Sequence, residues 1–134
     1  MKTYSNIKSE LEYCESKIID DGTAKSAELE VSDSISIEKI KNEKAHLIVK
    51  RLIKFTPLTN AYVSVAYRTV LEAKEAIEKK QLVKDLKEEL PFLGIVYSRI
   101  SLVIAQITNE SMFGAVITPP MYEGERVEII DNCK

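Results

Sequence analysis

The residues best equipped for chemistry are few, and their spacing gives them little to do together. His46 is the single histidine, set between Ala45 and Leu47 in an alternating stretch, where it reads as a structural or surface strand residue. A zinc or transition-metal site needs several nitrogen or sulfur ligands within reach of one another. The two cysteines, Cys14 and Cys133, sit near opposite ends of 134 residues and match no metal spacing. No metal is expected. Asp20-Asp21 and Glu88-Glu89 are carboxylate pairs, but adjacent residues on a helix point to different sides and make no facing acid–base dyad. Gly22, Gly94, Gly114 and Gly124 are each isolated, which excludes the common phosphate-cradling loops. No serine occupies a nucleophile elbow, and nothing basic and fixed stands beside either cysteine to activate it. The tyrosines at 4, 13, 62, 67, 97 and 122 are scattered, without the paired pattern of an RNA-stacking sheet. The expectation is a protein that is not an enzyme and uses no cofactor.

The bulk composition agrees with an interaction protein. One domain spanning residues 1–134 is expected, long enough to bury about two-thirds of its unfolded surface. Apolar residues make up 45% and charged residues 30%, the balance of a globular chain and not of a disordered tail. A net charge of −2 provides no bulk attraction to nucleic acid or anionic lipid. Basic groups such as Lys50-Arg51 with Lys54, and Lys79-Lys80, are surrounded by acidic residues and read as solvated faces. The start, MKTYSNIKSE, has no apolar core of a signal peptide, and the longest apolar run falls short of the ~20 residues of a spanning helix. A cytoplasmic setting without membrane insertion is the default.

The elements that would position any site change character along the chain. Ala27, Leu29, Val31, Ile35 and Ile37 alternate with polar residues, the period of a strand with one buried face. Asp33 interrupts that row, as at a bulge or bend. Asn42-Glu43-Lys44 turns the chain into a second strand, Ala45 to Phe55, with Leu47, Val49, Ile53 and Phe55 on one face. Thr56 to Asn60 forms the next turn, and Ala61 to Ala73 a third strand. Residues 5 to 19 fit a helix or a strand equally. From Lys74 the period becomes helical: Ile77, Leu82, Val83, Leu86 and Leu90 share a face, supported by Glu75–Lys79 and Lys84–Glu88 pairs. Pro91 ends this helix and opens another. Strands are thus placed at about 5–73, helices at about 74–110, and an extended segment at 115–134 with a short strand near Val127 to Ile130. Strands before helices imply an α+β fold with an antiparallel sheet covered on one face.

The second helix carries the most information. At about 100° per residue, Phe92, Leu93, Val96, Tyr97, Ile100, Val103, Ile104 and Ile107 fill one arc suited to a sheet. Opposite runs a stripe of small residues, Gly94, Ser98, Ser101 and Ala105, continued by Thr108, where a solvent-facing helix would carry Lys and Glu. Arg99 is the sole charge from Phe92 to Thr108, so a carboxylate or helix-end carbonyl partner is expected for it. The stripe points to close packing by an oligomer partner or by a second internal layer. On the open side of the sheet, Ile48, Leu52, Tyr62 and Val70 place apolar groups where polar ones belong. Such groups beside unpaired strand edges suit extended polypeptide, or else a partner subunit covers them.

Gln81 to Asp85 with Leu86, then Pro91-Phe92-Leu93, then Tyr97-Ser98-Arg99 leading into Ile100 to Thr108, and finally Ile117-Thr118-Pro119-Pro120, follow a known order. A short helix, a proline step, an aromatic-x-Arg element, a long helix and an extended proline-containing exit resemble the SecB family of export chaperones. The resemblance covers about residues 61 to 120. Val96 stands where that family usually has a proline. The acidic surface and basic tail that engage the translocation ATPase are not recognisable in MYEGERVEIIDNCK, which puts that partner in doubt. The resemblance implies four antiparallel strands followed by two C-terminal helices packed on one face. It also implies a homotetramer built as a dimer of dimers, and ATP-independent holding of unfolded polypeptide in apolar grooves. Relatives of this kind also serve antitoxins or occur in mobile elements. A holdase or adaptor is therefore the first expectation. The alternatives are a phage or mobile-element assembly protein on the same scaffold, or a small-molecule enzyme for which no motif speaks.

Overall fold

The computed structural model describes residues 3–17, 28–56, 61–109 and 114–133. Asp20, Asp21, Gly22, Ala27 and residues 57–60 of the expected turn lie outside the described residues. Five strands and two helices follow in the order β1 (Tyr4–Lys17), β2 (Glu28–Lys41), β3 (Lys44–Thr56), β4 (Tyr62–Ala73), α1 (Lys79–Lys87), α2 (Pro91–Thr108) and β5 (Glu128–Asp131). The segment left open at 5 to 19 is strand as far as Lys17, because β4 pairs with it along its whole length. A helix there would leave the β4 edge bare.

The sheet runs β1-β4-β3-β2-β5 among the described residues. This corrects the expected four-stranded antiparallel sheet. β1 to β4 are antiparallel, but β5 joins the far edge parallel to β2, pairing Glu128–Asp131 with Ser34–Ile37. The sheet is therefore mixed. An extended return from the helices brings the chain tail alongside β2 in the same direction, which no local pattern encodes.

Helix α2 lies across β3, β4 and β1. Leu93, Val96, Tyr97, Ile100 and Ile104 are buried against Val49, Ile53, Val63, Val65 and Leu71 in one core. Phe92, Val103 and Ile107 flank them half-buried. By length and composition this helix would pass for a membrane span, yet its apolar arc is spent on its own sheet. Helix α1 is shorter than its apolar pattern implied. It begins at Lys79, so Glu75 precedes it, and Lys79 instead pairs with Asp131 of β5 at 2.8 Å.

Three tyrosines tie the layers together through their polar ends. The Tyr4 hydroxyl donates to the buried carboxylate of Asp85 at 2.6 Å, and Gln81 donates to its other oxygen at 2.8 Å. Tyr122 donates to the Leu86 carbonyl at the end of α1 and accepts from the Leu90 N–H before α2. Tyr97 reaches the Ser34 carbonyl of β2 at 3.3 Å. Burial pushes the Tyr122 phenol up to about 12, and burial likewise raises those of Tyr4 and Tyr97. A phenol with a raised pKa in the fold releases its proton first in the unfolded chain. Its contribution is complete below the ordinary value of about 10 and is lost as pH climbs towards the folded value. The sheet signal in circular dichroism should therefore fall from about pH 10, with the phenolate absorbance of these buried tyrosines appearing only alongside that loss. Their ionisation in an intact fold at that pH would contradict the packing described.

Candidate functional site: a buried arginine and a groove beside the sheet edge

The apolar row of β3 is Leu47, Val49, Ile53 and Phe55, and Arg51 occupies the position between them. It is not a solvated face residue. Its side chain is 1% exposed, and its direct partner across the β2–β3 ladder is Asp33, the residue that interrupts the apolar row of β2. No bulge lies at Asp33; the register shift falls between Ile37 and Lys39. Arg51 Nε and Nη2 donate to the two Asp33 carboxylate oxygens at 2.6 and 2.8 Å, a planar two-bond grip suited to guanidinium. Its flat face lies over the Tyr97 ring, 5.0 Å from the centroid.

The rest of the guanidinium faces the chain between α2 and β5. Arg51 Nη1 donates to Ser101 Oγ and Thr118 Oγ1, each at 3.0 Å, and to the Pro119 carbonyl. Arg51 Nη2 also approaches the Met121 carbonyl. Ser101 donates to the Pro119 carbonyl at 3.0 Å and Ser98 to the Pro120 carbonyl at 3.3 Å. Gly94 faces Met121, whose sulfur would stand 2.9 Å from a Cβ at position 94. Thr108 receives the Val116 N–H at 2.7 Å. One buried cation thus joins sheet, helix and extended segment.

These contacts decide the fate of the expected sites. The small-residue stripe does admit a close second layer, but that layer is residues 116–121 of the same chain. Its carbonyls at Pro119 and Pro120, the Thr118 hydroxyl and the Met121 sulfur meet the stripe, so this segment is the internal layer that was one of the two expectations. Of the residues expected to meet another subunit, Gly94, Ser98 and Ser101 thus face the chain's own extended segment, and Ala105 lies half-buried on the same stripe. The parts of α2 left outside are Ile95 and Leu102, 56% and 60% exposed, with Pro91, Ser98, Arg99 and Gln106. Arg99 is exposed and has no partner among the described residues, so the charge needing compensation is Arg51 and not Arg99. Of the resemblance positions, Pro91 opens α2, Tyr97 lies under Arg51, and Pro119 and Pro120 carry carbonyls that accept from Arg51, Ser101 and Ser98.

Ile48, Leu52, Tyr62 and Val70 do share the open face, each half-buried, but they do not form one patch. Lys50 lies between Ile48 and Leu52 on β3. Arg68 stands opposite Ile48 and is held by Glu12 through two bonds of 2.9 Å. The large apolar side chains exposed to solvent are Leu11, Leu29, Val31, Ile95, Leu102 and Ile117, and they belong to the helix-covered side of the sheet, to α2 and to the extended segment. Leu29 and Val31 continue the buried row of Ile35 and Ile37 beyond the reach of the helices. They form one wall of a groove of about 460 Å³, with Asp33 and Arg51 at its floor and Pro119 and Met121 opposite. Half of the β2 stripe is therefore exposed and not core. The signal in the sequence was present, since Leu29 and Val31 are in phase with Ile35 and Ile37; what covers that phase is decided by the length of α2.

Chemically the groove offers apolar contact, hydrogen bonds and charge. Among the described residues, no group of three or more His, Cys, Asp or Glu side chains is placed to hold a metal ion.

No protein-family model and no curated protein sequence matches the chain. In structure it is similar to a SecB-like chaperone of Mycobacterium tuberculosis in complex with a ChAD peptide from an antitoxin. The TM-score is 0.61 over 89% of this chain and 88% of that one, with 6% sequence identity. A protein of unknown function from Streptococcus agalactiae aligns over 89% of this chain and 98% of its own at a TM-score of 0.43 and 8% identity. The first likeness shows a shared SecB-like fold.

Proposed function

We propose that this protein is an ATP-independent holdase or adaptor that binds unfolded or partly folded polypeptide in an apolar groove. The carrying observation is the groove beside the sheet edge, where Leu29, Val31, Pro119, Met121 and Val127 give apolar contact among charged neighbours and the Arg51–Asp33 pair fixes the lining. Its contents suit recognition: apolar walls for side chains, and carbonyl and carboxylate groups at the rim. The SecB-like fold supports the same reading, as does the peptide held by the mycobacterial neighbour. Binding needs no cofactor and no catalytic residue. Two unpaired cysteines, Cys14 and Cys133, suit a reducing, cytoplasmic setting.

The working form is a homo-oligomer, a tetramer as a dimer of dimers in the SecB-like arrangement. Ile95 and Leu102 on α2, with Ile117 at 78% exposure, supply the apolar surface on which copies would meet. The purified protein, without nucleotide, is expected to suppress light scattering from a reduced, unfolded substrate at near-stoichiometric ratio. Unchanged aggregation with no complex on gel filtration would refute the chaperone reading and leave a non-chaperone assembly protein on the same scaffold.

A further inference from the structure

β5 covers only the C-terminal half of the β2 edge, Ser34–Ile37. The Ile37 carbonyl accepts from the Asn132 N–H at 2.9 Å, which fixes the phase: the main-chain groups of the odd residues of β2 point towards β5. By strand alternation, the N–H and C=O groups of Leu29 and Val31 point off the same edge, while the Asp33 carbonyl belongs to the Ser34–Glu128 bridge with β5. Nothing among the described residues pairs with Leu29 and Val31 there. The side chains of these same residues line the groove.

From this coincidence we infer that client polypeptide binds by strand addition, as an extended segment of about four residues placed in line with β5 against residues 29–32 of β2. This rests on the polypeptide-binding reading above and specifies its mode. The flanking chemistry selects the occupant. Inward residues of the added strand enter the cleft between Leu29 and Val31 on one side and Pro119 and Met121 on the other, so they are apolar. Outward residues lie on the open face, where Glu30 stands across from Lys54 and Glu128 lies one strand from Lys50, so that face sets no preference of charge sign. The preferred segment has apolar residues at every second position, with polar residues between them. The parallel strand β5 is the template: an occupant continues its ladder, and an edge otherwise open to aggregation is closed by the client.

The test uses the full chain and a labelled eight-residue peptide of alternating valine and lysine, read by fluorescence anisotropy. Two further peptides carry N-methyl groups on the valines only or on the lysines only. In a strand just one of these sets faces β2. One set should weaken binding about tenfold or more and the other by less than about twofold, the tenfold corresponding to about 1.4 kcal/mol of lost hydrogen bonding. Val31→Lys, at a half-exposed position that tolerates the change, should weaken the parent peptide at least about tenfold by charge and steric opposition. Equal effects of the two methylated sets, indifference to Val31→Lys, or no binding of the parent peptide would overturn strand addition. Aggregation suppression is measured in parallel. Suppression with equal methylation effects removes this mode alone, whereas one-sided methylation effects without suppression remove the holdase reading alone.

Discussion

Replacing Arg51 by leucine is expected to destabilise the fold by about 3–5 kcal/mol, more than half the stability of many domains. The loss comes from what remains. Asp33, whose side chain is 12% exposed, keeps its charge in a site shaped for guanidinium and receives no other ion pair among the described residues. The Pro119 carbonyl loses its cationic donor, and Tyr97 loses the group stacked on its face. Removing one member of a buried pair costs far more than the pair contributes, because an uncompensated charge in a low-dielectric site has no water to turn to. The double variant Arg51→Leu/Asp33→Leu should therefore recover a large share of the loss, and Asp33→Leu alone should be nearly as harmful as Arg51→Leu. Urea unfolding of the four proteins gives the coupling energy directly. A single-variant loss below about 1 kcal/mol, or additive effects in the double variant, would show that the node does not hold the layers together.

Gly124→Ala is expected to be nearly as damaging, at about 3 kcal/mol, the upper range for forced overpacking. A Cβ at position 124 would lie 1.9 Å from the Lys87 carbonyl oxygen and 2.8 Å from its carbon. Both belong to the backbone at the end of α1, so no side-chain rotation relieves the contact. Gly124 is buried, and its N–H is held by Glu89 Oε1 at 3.1 Å. Separation of these segments would pull on Tyr122, two residues before Gly124, whose hydroxyl bridges the Leu86 carbonyl and the Leu90 N–H. By contrast Gly94→Ala meets only the flexible end of Met121 and should cost far less. Thermal unfolding of the two variants side by side checks the ranking; equal melting temperatures would count against the close approach at Gly124.

Much of the architecture was legible from period alone. The two-residue alternation of β2, β3 and β4 and the helical arc of α2 depend on local chain geometry, and each appears where the apolar spacing put it. Segment 5 to 19 was not legible, since its apolar residues satisfy both periods and β4 pairing decides between them. The turn at Asn42-Glu43 was also visible, with Asn42 in the left-handed region at φ 54. What hid the central ion pair is one residue of slip. A ladder continued without interruption from Lys41–Lys44 would set Arg51 opposite Ser34, and Val49 opposite Ser36. The bulge between Ile37 and Lys39 moves the register by one, so that apolar meets apolar and Arg51 meets Asp33.

The sequence by itself determined strands β2 to β4 and the long apolar arc of α2. Those properties follow from which side chains recur at which spacing, and the local backbone enforces them. Only the tertiary structure decided that the small stripe is filled by residues 116–121, that β5 turns the sheet mixed, and that Leu29 and Val31 remain uncovered. These depend on where an extended tail returns and how far an eighteen-residue helix reaches over fourteen-residue strands. Such distances are set by long-range contacts, and no local spacing records them.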